Sequence, residues 1–198
     1  MTLRQLIVSM VVLVVIAATM LFYAWRLREH AALTTPPVEA VPPVVPPKAG
    51  PTENATLWVA DDNPGVLRAQ SSAIPLTSGR QQKARQILRA LMSIYTSPNS
   101  AHPLHAGAEI RAVYLVTPGV AVIDVNSAFA EGQTSGVLAE ELTIASLVQS
   151  LTANIPGITD IKILVDGKEK DTLAGHADLS GTYDVLQVSD LARELSSQ

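Results

Sequence analysis

The stretch GVLAEELTIASLVQSLTANIPGITDIKILVDG, Gly136 to Gly167, changes its apolar period part-way along. Over its first half Leu138, Leu142, Ala145, Val148 and Leu151 recur every three or four residues, the spacing that lines one face of an α-helix. Asn154-Ile155-Pro156-Gly157 then ends that helix, because proline cannot continue the backbone hydrogen-bond ladder and glycine follows it. From Asp160 to Val165 the run DIKILV alternates apolar and polar residues, as a half-buried strand does. Asp166-Gly167 is a turn dipeptide, and it sends the chain back toward a further strand at DTL, Asp171 to Leu173.

Working upstream, AEIRAVYLV and VAVIDV are two strand-like runs joined by Thr117-Pro118-Gly119, which reads as a β-hairpin. Before them Ala84, Ile87, Leu88, Leu91, Ile94 and Tyr95 recur at helical spacing, and Ser78 precedes Gln81 by the interval of a capping box. Pro98 closes this helix. Its other face carries Arg80, Lys83, Arg85 and Arg89, the composition of a solvated face. ATLWVA, Ala55 to Ala60, is a strand that Asp61-Asp62-Asn63-Pro64-Gly65 breaks. The order strand, helix, strand, strand, helix, strand, strand predicts an α+β domain, a mostly antiparallel sheet with two helices beside it. No segment repeats, which excludes a solenoid or tandem array.

In front of this domain, Leu6 to Trp25 is apolar and uncharged over a length that spans the ~30 Å hydrocarbon core of a bilayer. Phe22, Tyr23 and Trp25 stand where aromatic rings favour the membrane interface, and Arg26 and Arg28 follow. A cleaved signal peptide has a shorter apolar core ending in small residues, whereas Ala17-Ala18-Thr19 is followed by more apolar sequence. The run is therefore expected to be an uncleaved transmembrane helix. Arg4 on one side and Arg26 and Arg28 on the other leave its orientation undecided by charge. Next, TTPPVEAVPPVVPPKAGPT, Thr34 to Thr52, reads as a polyproline-II tether reaching roughly 60 Å when extended, or as a ligand for proline-reading modules. The expected layout is a short tail over 1–5, the anchor over 6–25, the linker over 26–52, the domain over 53–182 and a C-terminal tail over 183–198.

Composition removes several classes of function. The 198 residues include no cysteine, so disulfides, thiol nucleophiles, cysteine-ligated zinc and a lipidated cysteine are excluded. The formal charge is −4, and residues 1–52 hold Arg4, Arg26, Arg28 and Lys48 against Glu29 and Glu39, so the remainder is acidic. An acidic domain is unsuited to nucleic acid, whose phosphates are gripped by clustered Lys and Arg. Neither a G-x-S-x-G elbow nor a phosphate-binding glycine loop is present.

Two histidine-bearing stretches remain. In HPLH, His102 and His105 have a ligand-like interval, but Pro103 argues against the helix that would align them, and an exposed loop is expected. In VDGKEKDTLAGHADLS, Val165 to Ser180, a strand over Leu173 to Leu179 would project His176 and Asp178 from one face, where they could share a metal or a proton. That is half a site, since no second histidine lies at ligand spacing nearby. The structural alternative makes Asp166-Gly167 a turn, gives Gly175 a backbone angle denied to other residues, and leaves His176 and Asp178 to hydrogen-bond nearby backbone.

Taken together, AVYLVTPGVAVIDVNSAF, the Gly136–Gly167 stretch and DTLAGHADLS resemble the sporulation and spore germination domain, also called the GerMN domain. The resemblance covers about residues 55–182. It implies an α/β domain displayed outside the cytoplasmic membrane, similar in fold to the ring-building domains of envelope secretion machines and without established catalytic residues. It also implies an amino terminus inside and a domain outside. The founding proteins carry two such domains behind a lipidated cysteine, whereas this chain has one domain, no cysteine and a helical anchor.

The resulting expectation is a membrane-anchored, non-enzymatic GerMN-like module for protein interaction or assembly in the cell envelope, on the periplasmic side, with a role in sporulation or germination left open. Its partner would be an envelope protein complex, with a homo-oligomer left open and no cofactor or nucleic acid. Asp166, Gly167, Gly175, His176 and Asp178 are the family-motif residues, structural or at a partner surface, and no catalytic or metal residue is assigned. The competing reading is an envelope hydrolase or metal-dependent enzyme using His176 and Asp178. A third, a small-ligand or glycan binder, would use Trp58 or Tyr114.

Overall fold

The computed structural model describes residues 10, 16–26, 50–116 and 118–196. Its contacts divide the chain into two units, Met1–Lys48 and Ala49–Gln198. In the first, Met10 and residues 16–26 are helical, with Met20, Leu21, Phe22, Tyr23 and Trp25 exposed. The rest of the anchor expected over Leu6 to Trp25, and the linker between its two ends, lie outside the described residues. No helix among the described residues is long and apolar enough to cross a membrane.

The second unit opens with a hairpin. Strand β1, Thr52–Asp61, pairs antiparallel with β2, Val66–Pro75, in unbroken register from Thr52 opposite Pro75 to Asp61 opposite Val66. Gly65, with φ +90°, completes the reversal at Asp61-Asp62-Asn63-Pro64. Sequence reading found β1 and its break but not β2. VLRAQSSAIP is built largely of small and polar residues, and from Arg68 to Ala73 nearly all of them are exposed.

Helix α1, Arg80–Tyr95, buries Ala84, Ile87, Leu88, Leu91, Met92 and Tyr95 along the stripe that its periodicity predicts. Its N-cap is Gly79 and no side chain caps it, so the box expected from Ser78 and Gln81 does not form. Strands β3, Ile110–Val116, and β4, Val120–Val125, make the predicted hairpin, irregular only between Ile110 and Ala112. A short helix α2, Ser127–Glu131, follows, its first turn capped by Asn126, which accepts the Phe129 N–H at 2.9 Å. Then come α3, Val137–Thr152, and β5, Asp160–Val165, as the change of period predicts. The segment expected as a tail instead carries β6, Tyr183–Asp184, and α4, Val185–Ser196.

The class is α+β as expected, but the strands form two sheets rather than one, the β1–β2 hairpin and a four-stranded mixed sheet. The strands beyond the hairpin run β3-β4-β5-β6, with β4 and β5 parallel and the other two pairings antiparallel. The parallel pair follows from the connection. Two helices separate β4 from β5, and a crossover of that length returns the chain to the end of the sheet at which β4 began. Nor are there only two helices, since α2 and α4 join α1 and α3 among the described residues.

Helix α3 sits at the centre and packs on β1, β2, α1 and α4. It is buried on nearly every side, from Leu142 through Val148, including Thr143 and Ser146. Two of its serines, with Asn154 beyond its end and Tyr95 of α1, bond the outward edge of β1. The outward backbone of β1 is met at Trp58, where Ser150 Oγ accepts the N–H at 2.8 Å and Ser146 Oγ donates to the carbonyl at 2.5 Å. Thr56 is bonded on both its N–H and its carbonyl by the Asn154 amide, at 3.0 and 2.7 Å. The Ala60 N–H goes to the Tyr95 hydroxyl at 2.8 Å. Burial pushes the Tyr95 phenol up to about 12, against its hydrogen bonds with Ser146 and Ala60, so it stays neutral; with the Ser146 proton given to the Trp58 carbonyl, the Tyr95 hydroxyl donates to Ser146 Oγ. Side chains thus stand where a third strand would, and no buried amide of β1 is left unpaired there.

Candidate functional site

The motif AGHADLS folds around a residue that the sequence did not single out. Glu140, in the first turn of α3, is 0% exposed. One carboxylate oxygen accepts the backbone N–H groups of Ala174, His176 and Ala177 at 3.2, 2.8 and 2.8 Å. The other accepts His176 Nδ1 at 2.8 Å and the Gly136 N–H at 3.2 Å. Gly175, at φ +122°, is what bends the loop so that the N–H groups on both sides of it converge. A Cβ there would meet nothing nearer than Ser135 Oγ at 3.9 Å, so the demand for glycine is one of backbone angle rather than space.

The electrostatics follow from this geometry. Burial pushes the Glu140 carboxyl up, but the Ala177 N–H, the His176 ring and the N–H groups of His176 and Gly136 outweigh it and hold the pKa at about 2. A buried carboxylate gathers one loop and one helix terminus. The Asp178 carboxyl is also lowered, by hydrogen bonds from the Ser180 hydroxyl and N–H, the latter at 2.8 Å.

The five motif residues separate into two groups. Asp166 and Gly167, at φ +52° and +74°, form the β5 turn, closed by reciprocal bonds between Val165 and Lys168. The Asp166 carboxylate also accepts from Arg111 at 2.9 Å and from the Ser127 N–H at 3.2 Å, and the Gly167 N–H donates to Asp124 at 2.7 Å. Gly175 and His176 belong to the Glu140 loop. The further strand expected at Asp171 to Leu173 does not form, nor does the strand over Leu173 to Leu179 that a shared His176–Asp178 face would need: an isolated Thr172–Asp178 bridge and the Leu173 N–H donating to the Ala177 carbonyl close the loop on itself. His176 therefore pairs with Glu140, while Asp178 turns to Ser180.

This arrangement does not supply an acid–base relay. A relay of the serine-hydrolase type needs carboxylate and nucleophile on opposite ring nitrogens. Here Ser135 Oγ lies 3.4 Å from the same Nδ1 that Glu140 holds, and it donates to the Ala174 carbonyl at 3.1 Å. Among the described residues no group of three His, Asp or Glu is placed to hold a metal ion.

His102, expected in an exposed loop, is 2% exposed. Its Nδ1 faces Asp62 at 2.6 Å and its Nε2 faces Thr143 Oγ1 at 2.8 Å, and its ring stands edge-on to Tyr95. These distances match a catalytic triad, but Thr143 is 0% exposed and is bonded in turn to Gln133. The cluster fastens the loop after α1 to α3, with the Thr143 hydroxyl closed off from solvent. His105 is exposed, as expected.

Beside the Glu140 loop lies a groove of about 310 Å³ between α3 and α4. Ile144, Ala145, Val188 and Leu191 give it an apolar floor; His176, Asp178 and Glu141 supply a polar rim. Tyr183 closes one side, its hydroxyl donating to the Asp178 carbonyl at 2.6 Å. Burial, then the carboxylates of Asp178, Glu140 and Glu141, push its phenol up to about 12.

Comparison with known proteins follows the fold. A family model described as sporulation and spore germination matches residues 56–171. The chain belongs to the sporulation and spore germination family. Among solved structures it is similar to the tandem GerMN domains of the sporulation protein GerM from Bacillus subtilis. That match has 20% identity and a TM-score of 0.50, and covers 68% of this chain and 46% of that one. The first GerMN domain of GerM alone matches with 20% identity over 65% of this chain and 93% of that one, at a TM-score of 0.45. A Clostridium perfringens protein described as a candidate lipoprotein matches with 20% identity over 67% and 87%, at a TM-score of 0.46. No curated protein matches the chain. This single family domain spans less than half of the tandem GerM structure.

Proposed function

We propose that the protein is a non-enzymatic module of the cell envelope, tethered to the cytoplasmic membrane and engaging a partner protein, in the sporulation or germination setting of its family. The carrying observation is how the motif uses its polar groups. Gly175 and His176 direct their loop onto a buried carboxylate, and the outer surface of that loop forms one wall of the groove between α3 and α4. A fully satisfied buried polar network rigidifies the segment it holds, so the clasp on Glu140 supports a loop of fixed shape beside the groove. An apolar floor with an acidic rim suits an apolar side chain flanked by a basic one. The tether supports the same reading: an uncharged run over Leu6 to Trp25 followed by paired prolines holds a domain away from a bilayer.

The membrane part of this reading is tested by topology. A reporter active only outside the cytoplasm, fused after Gln198, gives signal, and the full chain stays with membranes after a carbonate wash. Signal from a cytoplasm-only reporter at the same position overturns the orientation.

A further inference from the structure

The two edges of the β1–β2 hairpin are treated differently. On β1 the outward N–H groups of Thr56, Trp58 and Ala60 are taken by Asn154, Ser150 and Tyr95. In an antiparallel pair, residues opposite such outward positions also point their backbone groups away from the partner strand. The residues opposite Thr56, Trp58 and Asn54 are Ser71, Ala69 and Ala73. Among the described residues, no hydrogen bond outside the ladder reaches the backbone of any of these three, and all three are exposed.

Edge protection is sparse here and stands at the two ends of the strand, at Arg68 and Pro75. The strand has no lysine, no bulge interrupts its register, and its one charge, Arg68, is drawn toward Asp61 at 3.6 Å. The open row is bounded on one side by Leu67, 3% exposed, and on the other by Pro75, which has no N–H to offer. Its side chains, Ala69, Gln70, Ser71, Ser72 and Ala73, include none bulky enough to hold another strand off.

We propose that this edge pairs with a second copy of the chain, β2 against β2, antiparallel about a two-fold axis at Ser71. The row is its own complement. With Ser71 opposite Ser71 of the second copy, Ala69 meets Ala73 and Ala73 meets Ala69, and each of these pairs exchanges two N–H···O=C bonds. The two Arg68 side chains then lie opposite Ile74, far from one another, so no like charges meet across the seam. The two hairpins become one four-stranded sheet, β1-β2-β2-β1, whose outer edges are already met by Tyr95, Ser146, Ser150 and Asn154.

The absence of cysteine gives a direct test. At the two-fold, Ser71 and its copy have Cα atoms about 5.5 Å apart, within disulfide reach, whereas two Ala69 residues lie about 14 Å apart along the strands. In the full chain in mild detergent under gentle oxidation, Ser71→Cys forms a covalent dimer. Ala69→Cys alone does not, but Ala69→Cys mixed with Ala73→Cys does. Ser71→Pro, which removes an outward N–H unused by β1, sediments as a monomer where the wild type sediments as a dimer. Equal cross-linking at all three positions, no Ser71→Cys dimer, or a Ser71→Cys product joined to a different protein each overturns the proposal.

Discussion

Glu140 is the residue on which the motif depends, and its charge sets a pH signature. Its folded pKa of about 2 lies below the ordinary 4.5. The stability it contributes is therefore fully present above pH 4.5 and is lost as pH falls toward 2. Glu140→Gln places an amide donor among N–H donors and costs about 2–3 kcal/mol at pH 7, the range for hydrogen bonds to a buried charge. In urea unfolding, the gap between wild type and variant narrows between pH 4.5 and 2; a gap independent of pH contradicts the clasp. Two neighbouring substitutions grade the loop further. Gly175→Val forces a β-branched residue to φ +122° and costs roughly 1–3 kcal/mol, and His176→Ala removes one of five donors and costs about 0.5–2 kcal/mol. Neither responds to chelator. A chelator-induced drop in the wild-type midpoint that vanishes in His176→Ala makes a metal site the better reading. Gly175 and His176 were legible in the sequence because AGHADLS is part of the stretch that resembles the family motif. Glu140 was not, because one of two adjacent acids near a helix start looks solvated, and only the loop 34 residues away reveals which one is buried.

Among the elements, α3 carries the greatest load, and its serines are where a helix substitutes for a strand. Ser150→Ala strips the Trp58 N–H of its partner at a half-buried position and costs about 1–2 kcal/mol, read by thermal or urea unfolding. A neutral result shows that water reaches the β1 edge. The strands and helices with strong apolar periods, α1, α3, β3, β4 and β5, were readable from spacing alone. β2 was missed because an exposed edge strand needs little apolar content; α4 was missed although Val185, Val188, Leu191 and Ala192 recur at helical spacing, because it is short and lies beyond residue 182, where the family resemblance ends. The parallel β4–β5 pair was implicit in the length of the α2–α3 connection and was overlooked in favour of the hairpin before it.

For the whole molecule, the tether and the groove make a linked prediction: a domain held clear of the bilayer offers the α3–α4 groove to a partner that is itself in the envelope. Limited proteolysis of the membrane-bound chain cuts between Ala31 and Ala55 and releases a soluble acidic fragment; first cleavage between Val120 and Val165 contradicts the domain boundary. The groove is tested by filling it. Gln187 is exposed on its rim, so Gln187→Trp occupies the space without touching the core and leaves the unfolding midpoint unchanged. The decisive measurement is quantitative recovery of envelope proteins on the full chain in mild detergent, wild type against Gln187→Trp. A defined envelope protein that co-purifies with the wild type and falls at least tenfold with the variant is the predicted result, and recovery unchanged by Gln187→Trp contradicts it.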